Sequence, residues 1–573
     1  MPTIVRRLEI DCRAREGGNR GARPQHTTRL RSVMALSQVL EEAAHGATTV
    51  QVARSGPVSG GALWEDAGAV AGWLQSTYPP GSVVGIALRA DRHALTLLLG
   101  AWRAGFTVAS LPQPSRRTNA AAHHPQIAAA LAAAGAVALF VDRTVADEMG
   151  TLDSVPVHAF DTLPVTAAPV TEGGSPALIQ FSSGSTGSPK GVRLPGRAIV
   201  ANTGAILDML APDSPLVTYS WLPLSHDMGL IGAFLTTWLS GAQSRMGAAS
   251  MILDEPEAFT RAPGSWLRRC ADLGANATAG PTFALDLLAQ RFPDPAPDLR
   301  RLRTIIVGAE PVRADVLQRF TEAAKGSGLA TTALRPAYGL AETAVAATML
   351  ETDARWRTLT LDAAALAAGR VVHAPGGRKL VSCGRPVPGA QLRIAAEASE
   401  VGIIELRGPS MMEGYLNGEV RTTDEWFPTG DLGFIADGDL YVVGRSDDRL
   451  IVAGRNVYPS DVEHAAGSVA EVRQPLVAAI DDGHGRFLVV AALRRSRLDT
   501  DAARAVAVRI RRAVGAEIGL APTAVVFSSA RKFPLTPSGK VQRRAIAAAL
   551  ADGSLAVSHR ITFGVRGLSS HRS

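Results

Sequence analysis

The chain is poor in cysteine. Cys12, Cys270 and Cys383 are its only three, scattered and odd in number. They supply neither a disulfide framework nor clustered metal ligands, and a reducing cytoplasm is the expected compartment. No apolar run approaches the ~20 residues needed to span a bilayer, so no stable membrane insertion is expected. The N-terminus lacks the apolar centre of a secretory signal. Positive charge is present but confined. Of a formal +7, residues 1–33 contribute +5, with eight arginines against Glu9, Asp11 and Glu16. This stretch has no aromatic residue. It is expected to be a basic, disordered arm, and no nucleic-acid partner is expected.

What is present describes a globular protein. The 573 residues are 46% hydrophobic and 19% charged, enough for a large core and too many for one. From residue 82 the pattern alternates. Residues 82–88, 107–111 and 138–141 read as strands, 94–104 and 126–134 as helices, and 303–308 as a further strand. Strands alternating with helices predict parallel sheets covered on both faces, whose ligands bind beyond the carboxyl ends of the strands. His123 and His124, with no third ligand in view, read as an exposed pair. Residues 276–289 read as a turn followed by an apolar helix. Near the C-terminus, strands pair around the turn 481–485, a helix runs over 501–517 and a strand over 524–527. Residues after about 555 read as a frayed tail.

Several stretches carry chemistry. FSSGSTGSPKGV (181–192) follows an apolar strand and combines many free backbone N–H groups, hydroxyls and the Lys190 cation. That suits a polyphosphate, although a flexible connector has the same composition. His226-Asp227, just after a strand in an apolar segment, reads either as a satisfied core histidine or as a polar gate beside a reactive centre. In YGLAET (338–343), Tyr338 can cover a purine face and Glu342 can hold a hard cation. In WFPTGDLG (426–433), Asp431 reads as a surface turn or as the acceptor for both hydroxyls of a ribose. Lys540, after Ser-Gly near a loop tip, reads on its own as an exposed lysine.

These motifs, with GRSDDRLIVAGRNVYP (444–459) and LTPSGKVQRR (535–544), occur in the order that resembles the adenylate-forming superfamily of acyl-CoA synthetases, nonribosomal-peptide adenylation domains and luciferases. WLPLSHDMGLIG (221–232), VGAEPV (307–312), LVSCGRPVPG (380–389) and GRNVYPSDVE (454–463) are most similar to fatty acyl-AMP ligases. The resemblance covers roughly residues 34–553. It implies an α/β fold: a large domain of parallel and mixed sheets flanked by helices (34–446), then a small mobile α+β domain (447–553) and a tail (554–573).

The resemblance also implies roles. Ser182, Ser183, Gly184, Ser185, Thr186, Gly187 and Lys190 would hold the ATP phosphates. Gly308, Ala309, Glu310, Pro311, Tyr338 and Gly339 would line the adenine. Glu342, with Thr186, would bind Mg²⁺; Asp431 and Arg445 would bind the ribose. Asp447 would be the hinge of the small domain and Lys540 the catalytic lysine. His226 would gate an acyl pocket lined by Trp221, Met228, Gly229, Ile231 and Phe283. Ser225 stands where the family suggests a bulkier residue. The implied reaction is ATP-dependent activation of a carboxylic acid, fatty in preference, followed by transfer to a carrier protein's phosphopantetheine thiol in lipid, polyketide or nonribosomal-peptide biosynthesis. The alternatives are an acyl-CoA ligase, or an enzyme for an aryl or other secondary-metabolite acid. The 42 positions from Glu342 to Gly384 exceed what a plain CoA ligase is expected to have, and residues 361–374 resemble part of an insertion that restrains the small domain.

Overall fold

A computed structural model describes residues 8–10, 35–46, 48–52, 55–112, 120–153, 155–163, 177–182, 190–212, 214–243, 248–396, 400–452, 455–495, 498–535 and 541–563. Two large sheets organise the main body. One has eight strands in the order Gly414–Tyr415, Lys190–Leu194, Leu178–Ser182, Thr107–Leu111, Val83–Ala87, Ala136–Val141, Val155–Ala159 and Thr151–Leu152. Its five central strands, Leu178–Ser182 to Val155–Ala159, run parallel. Thr107–Leu111 is buried at every position, as a strand covered on both faces requires.

The helix Arg92–Arg103 begins where the Asp91 carboxylate accepts from the His93 and Ala94 amides. Every residue from Ala94 to Trp102 is buried. These strands and this helix fall where the apolar runs predict them.

The second sheet has nine strands. Its parallel centre runs Leu334–Tyr338, Thr304–Val307, Ala277–Gly280, Val217–Ser220, Ala249–Leu253 and Thr48–Val52. Ala277–Gly280 corrects the expected turn. Its four small residues carry no strand signal of their own, and burial between two parallel neighbours decides the conformation. Gly280 also leaves room for Trp266, whose ring a Cβ would meet at 2.5 Å. A third, antiparallel sheet holds Gln391–Ala395, Gly402–Arg407, Phe427–Ala436 and Asp439–Arg445.

The C-terminal unit has a four-stranded sheet: Val472–Asp481, Phe487–Leu493, Ala524–Ser528 and Val557–Thr562. Its inner strands are buried on both faces. Val477, Val489, Val525 and Phe527 face the helices Pro459–Gly467 and Thr500–Ile518, while Ala478, Val490 and Val526 face the helix Arg543–Ala551 through Ile546.

Other expectations need correction. Val557–Thr562 is an edge strand paired antiparallel with Ala524–Ser528, not tail; its polar, half-exposed pattern hides it from an apolar-run search. Leu8–Ile10, within the supposed arm, pairs with Leu392–Ile394. The helix expected over 126–134 spans Ala120–Ala134 with Pro125 inside it, so His124 is half-buried rather than exposed. Residues 358–381 form the hairpin Thr358–Leu361 with Arg378–Val381, and Ala363–Ala367 is a short helix between them. Among the described residues, no helix is long and apolar enough to cross a membrane.

Candidate active site

The parallel strands of the second sheet end on one edge, where Trp221, Phe283, Gly308–Pro311 and Tyr338–Glu342 follow in turn from four of them. Leu178–Ser182 leads to the Ser/Gly loop, and Lys190 opens the antiparallel return strand with its Cα opposite that of Ser182. Gln180 ties the two regions together: its Nε2 donates to the Ser225 carbonyl at 2.6 Å.

Three expected nucleotide-site residues meet directly. The Tyr338 hydroxyl donates to Asp431 Oδ2 at 2.7 Å. Arg445 Nη1 lies 3.6 Å from Asp431 Oδ1, and the two residues are partners across the hairpin of Phe427–Ala436 and Asp439–Arg445. The Asp431 amide donates to Thr429 Oγ1 at 3.1 Å. Burial, reinforced by the Asp431 carboxylate, pushes the Tyr338 phenol pKa well up, so it remains a donor.

Glu342 sits in a short 3₁₀ turn, Ala341–Thr343. Burial raises its pKa; a hydrogen bond from the Tyr415 hydroxyl at 2.7 Å opposes that rise. The Asp227 carboxylate raises it further and Arg445 lowers it, which puts both in its electrostatic neighbourhood. Lys190 Nζ stands 5.5 Å from the centroid of the same Tyr415 ring. Among the described residues no group of three or more His, Cys, Asp or Glu is arranged to hold a metal ion. A single carboxylate of this kind suits a cation that arrives on phosphates, not one caged by protein alone.

The segment expected to act as a gate is a tight turn leading into a π-helix, Met228–Leu235. His226 Nδ1 lies 2.6 Å from Asp227 Oδ1, and Asp227 Oδ1 accepts from the Met228 amide at 2.7 Å. Gly229 permits the closure, because a Cβ there would run into the Pro223 carbonyl. Trp221 is buried and stacks on Phe259 with centroids 4.0 Å apart, and Phe283 meets Phe259 edge-on at 6.3 Å. Met228 joins this apolar cluster, whereas Ile231 packs in the larger core with Leu230 and Phe234. Glu310 Oε1 accepts from the Phe283 amide at 2.6 Å, which ties the Gly308–Pro311 segment to the start of the helix Thr282–Gln290.

Ser183, Gly184, Ser185, Thr186, Gly187 and Lys540 lie outside the described residues. Asp447 Oδ1 accepts from Ser446 Oγ, and the Ser446 amide donates to the Gly430 carbonyl. Tyr415 and Gln180 contact these residues without having been singled out from the sequence. Asp227 was legible only as the neighbour of His226. Tyr415 had no stronger signal than an aromatic after a glycine.

The C-terminal unit docks on this body through ion pairs and hydrogen bonds. Asp461 Oδ1 lies 3.0 Å from Arg378 Nη2 and 3.7 Å from Arg313 Nη1. The Arg378 guanidinium lies 5.1 Å from the Tyr458 ring centroid. His464 Nε2 lies 3.4 Å from Asp315 Oδ2, and Asn456 Nδ2 donates to the Ala367 carbonyl at 2.7 Å.

Known proteins share this architecture. The family described as AMP-binding enzyme matches residues 40–416. Rv1013 of Mycobacterium tuberculosis is 32% identical over 546 residues, covering 89% of this chain and 98% of its own. The medium-chain-fatty-acid–[acyl-carrier-protein] ligase JamA of Moorena producens is 32% identical over 412 residues, 66% of this chain and 68% of JamA. A structure from studies of fatty acyl-adenylate ligases from E. coli and L. pneumophila aligns with a TM-score of 0.81 at 24% identity, covering 91% of this chain and 99% of that one.

Proposed function

The chain belongs to the family of AMP-binding enzymes, which form adenylates from ATP, and from that premise we propose that it activates a fatty acid to its acyl-AMP and passes the acyl group to a carrier protein. The observation that carries this reading is the joining of Tyr338, Asp431 and Arg445, with Glu342 beside them, on the strand edge that also bears the apolar Trp221–Phe259–Phe283 cluster.

In this reading Tyr338 and the Gly308–Pro311 segment line the adenine, Asp431 and Arg445 take the ribose, and the 182–190 loop takes the phosphates. Glu342, with Thr186, holds Mg²⁺. When bound, that ion neutralises phosphate charge as it develops on the leaving group. A substrate carboxylate oxygen attacks the α-phosphorus in line, the bond to the bridging oxygen breaks, and pyrophosphate leaves with the electron pair. Lys540 bridges the two anionic reactants, removing their repulsion and fixing their approach. In the second step a phosphopantetheine thiolate attacks the acyl carbonyl and AMP leaves. The small domain, 447–553, turns about Asp447 between the steps.

Three features favour a fatty acid and a carrier. Among the described residues, the cluster beside His226 is built of apolar side chains, which suits an alkyl chain better than an amino group. JamA carries a fatty-acid and acyl-carrier-protein name. Residues 361–374, read as part of an insertion, touch the small domain through Ala367 with Asn456, and the nearby Arg378 meets Asp461, which supports an arrangement of that domain that disfavours CoA. The buried thiols of Cys270 and Cys383 are in keeping with a cytoplasmic setting. The test is ATP–pyrophosphate exchange with a panel of carboxylic acids and Mg²⁺. Exchange that depends on a medium or long fatty acid is expected. Exchange driven only by aryl acids would move the substrate class, and no exchange with any acid would overturn the reading.

A further inference from the structure

We propose that Tyr415 is a positioning residue that presents Glu342 to the cation while its ring carries the Lys190 ammonium. The inference rests on reading Glu342 as the cation-holding carboxylate. It goes further by naming a residue that fixes that carboxylate and couples it to the end of the phosphate loop.

Four observations meet on this ring. Its hydroxyl donates to Glu342 Oε1 at 2.7 Å, which fixes one oxygen of the carboxylate and leaves lone pairs on the group for a cation. Its face lies 5.5 Å from Lys190 Nζ, within the reach of a cation–π contact. Its backbone is tied to the strand that Lys190 opens: Tyr415 pairs with Val192, the Leu416 amide donates to the Gly191 carbonyl at 2.9 Å, and the Glu413 amide to the Arg193 carbonyl at 2.9 Å. The same segment holds the other partner's main chain, because the Met412 amide donates to the Glu342 carbonyl at 2.8 Å.

A lone carboxylate on a short turn rotates about its terminal torsions, and a cation bound to it must first stop that rotation. The Tyr415 hydroxyl stops it in advance. The rigid ring also sets the spacing between a cation destined for the phosphates and the anion destined for the metal. Residues 190, 342 and 415 are far apart in sequence, yet one side chain touches the first two. Hydrogen-bond partners that orient a metal-binding carboxylate typically change metal affinity by about 10–100-fold when removed.

The experiment is calorimetric binding of α,β-methylene-ATP with and without Mn²⁺, to the full chain and to Tyr415→Phe, Tyr415→Leu and Glu342→Gln. The quantity read is the factor by which Mn²⁺ tightens analogue binding. Tyr415→Phe is expected to cut that factor about tenfold or more while shifting metal-free analogue affinity far less, because the ring face remains. Tyr415→Leu is expected to cut the factor and also weaken metal-free binding, because Lys190 loses its platform. A general loss of structure would weaken metal-free binding in Tyr415→Phe as well, and that result overturns the proposal. So does a wild-type factor in Tyr415→Phe alongside a reduced factor in Glu342→Gln, which leaves the cation reading standing. A wild-type factor in Glu342→Gln overturns the cation reading, and the proposal falls with it.

Discussion

Asp431→Asn tests the ribose assignment, and the structure sets its size. The wild-type carboxylate accepts from Tyr338 at 2.7 Å through Oδ2 and faces Arg445 at 3.6 Å through Oδ1. Asparagine has the same shape but only one oxygen. If that oxygen stays toward Tyr338, the new NH₂ group points at the guanidinium, donor against donor. If the amide flips, the NH₂ faces the Tyr338 hydroxyl, which must then give up its acceptor. Either way an acceptor for the ribose hydroxyls is lost. A hydrogen bond to a charged acceptor contributes about 1.5–3 kcal/mol. With each ~1.4 kcal/mol worth tenfold, the loss in kcat/KM for ATP is roughly 10–150-fold. The assay is ATP–pyrophosphate exchange with ATP and with 2′,3′-dideoxy-ATP on both proteins. Wild type should discriminate strongly against the dideoxy nucleotide, and the variant should have lost most of that discrimination. An Asp431→Asn variant that falls by the same factor on both nucleotides, or barely falls on ATP, would refute the reasoning.

Three further outcomes are expected. His464 is held neutral, its pKa pushed down to about 4, first by burial and then by the nearby Arg313; its Asp315 neighbour therefore draws charge pairing from Arg319, whose Nη1 lies at 2.7 Å. Because the folded pKa lies below the ordinary ~6.5, the stabilisation is complete above that pH and fades as pH falls toward 4. The loss reaches at most about 2 kcal/mol at pH 5. Thermal unfolding midpoints should drop between pH 7 and pH 5, His464→Gln should flatten the drop, and an equally steep profile in the variant would contradict the assignment. Asp461→Ala leaves Arg378 without its ion-pair partner at the junction, and hydrogen exchange in the helix Pro459–Gly467 should quicken while adenylation persists; unchanged exchange would show that this pair does not restrain the small domain. Lys540→Ala should abolish most adenylation and leave the unfolding midpoint in place, and near-normal ATP–pyrophosphate exchange would remove Lys540 from the chemistry.

Legibility in the sequence followed the range of the interactions. Val83–Ala87, Thr107–Leu111 and Ala136–Val141 are apolar runs buried in a parallel sheet, so local pattern and tertiary burial agree. Ala277–Gly280 lacked that pattern because its residues are small to fit Trp266, and only its neighbours make it a strand. Val557–Thr562 lies on a half-exposed edge, where alternation is weak and no apolar run marks it. The candidate site shows the same division. Tyr338, Glu342 and Asp431 stand in short motifs whose chemistry is local. Tyr415 does its work across 73 positions, on Glu342, and Arg313 meets Asp461 only when the C-terminal unit docks. Nothing near Tyr415 in the chain indicates the carboxylate it holds.

Acyl-AMP formation followed by delivery to a carrier can be followed in one divided reaction. The enzyme is incubated with ATP, Mg²⁺ and the preferred acid. The mixture is split between CoA and a phosphopantetheinylated carrier protein, and acyl-AMP, acyl-CoA and acyl-carrier are followed by mass spectrometry. Acyl-AMP should persist with CoA and be consumed by the carrier as the acyl-carrier thioester appears. Rapid conversion to acyl-CoA would contradict delivery to a carrier, and with it the restraining role of the insertion that includes residues 361–374.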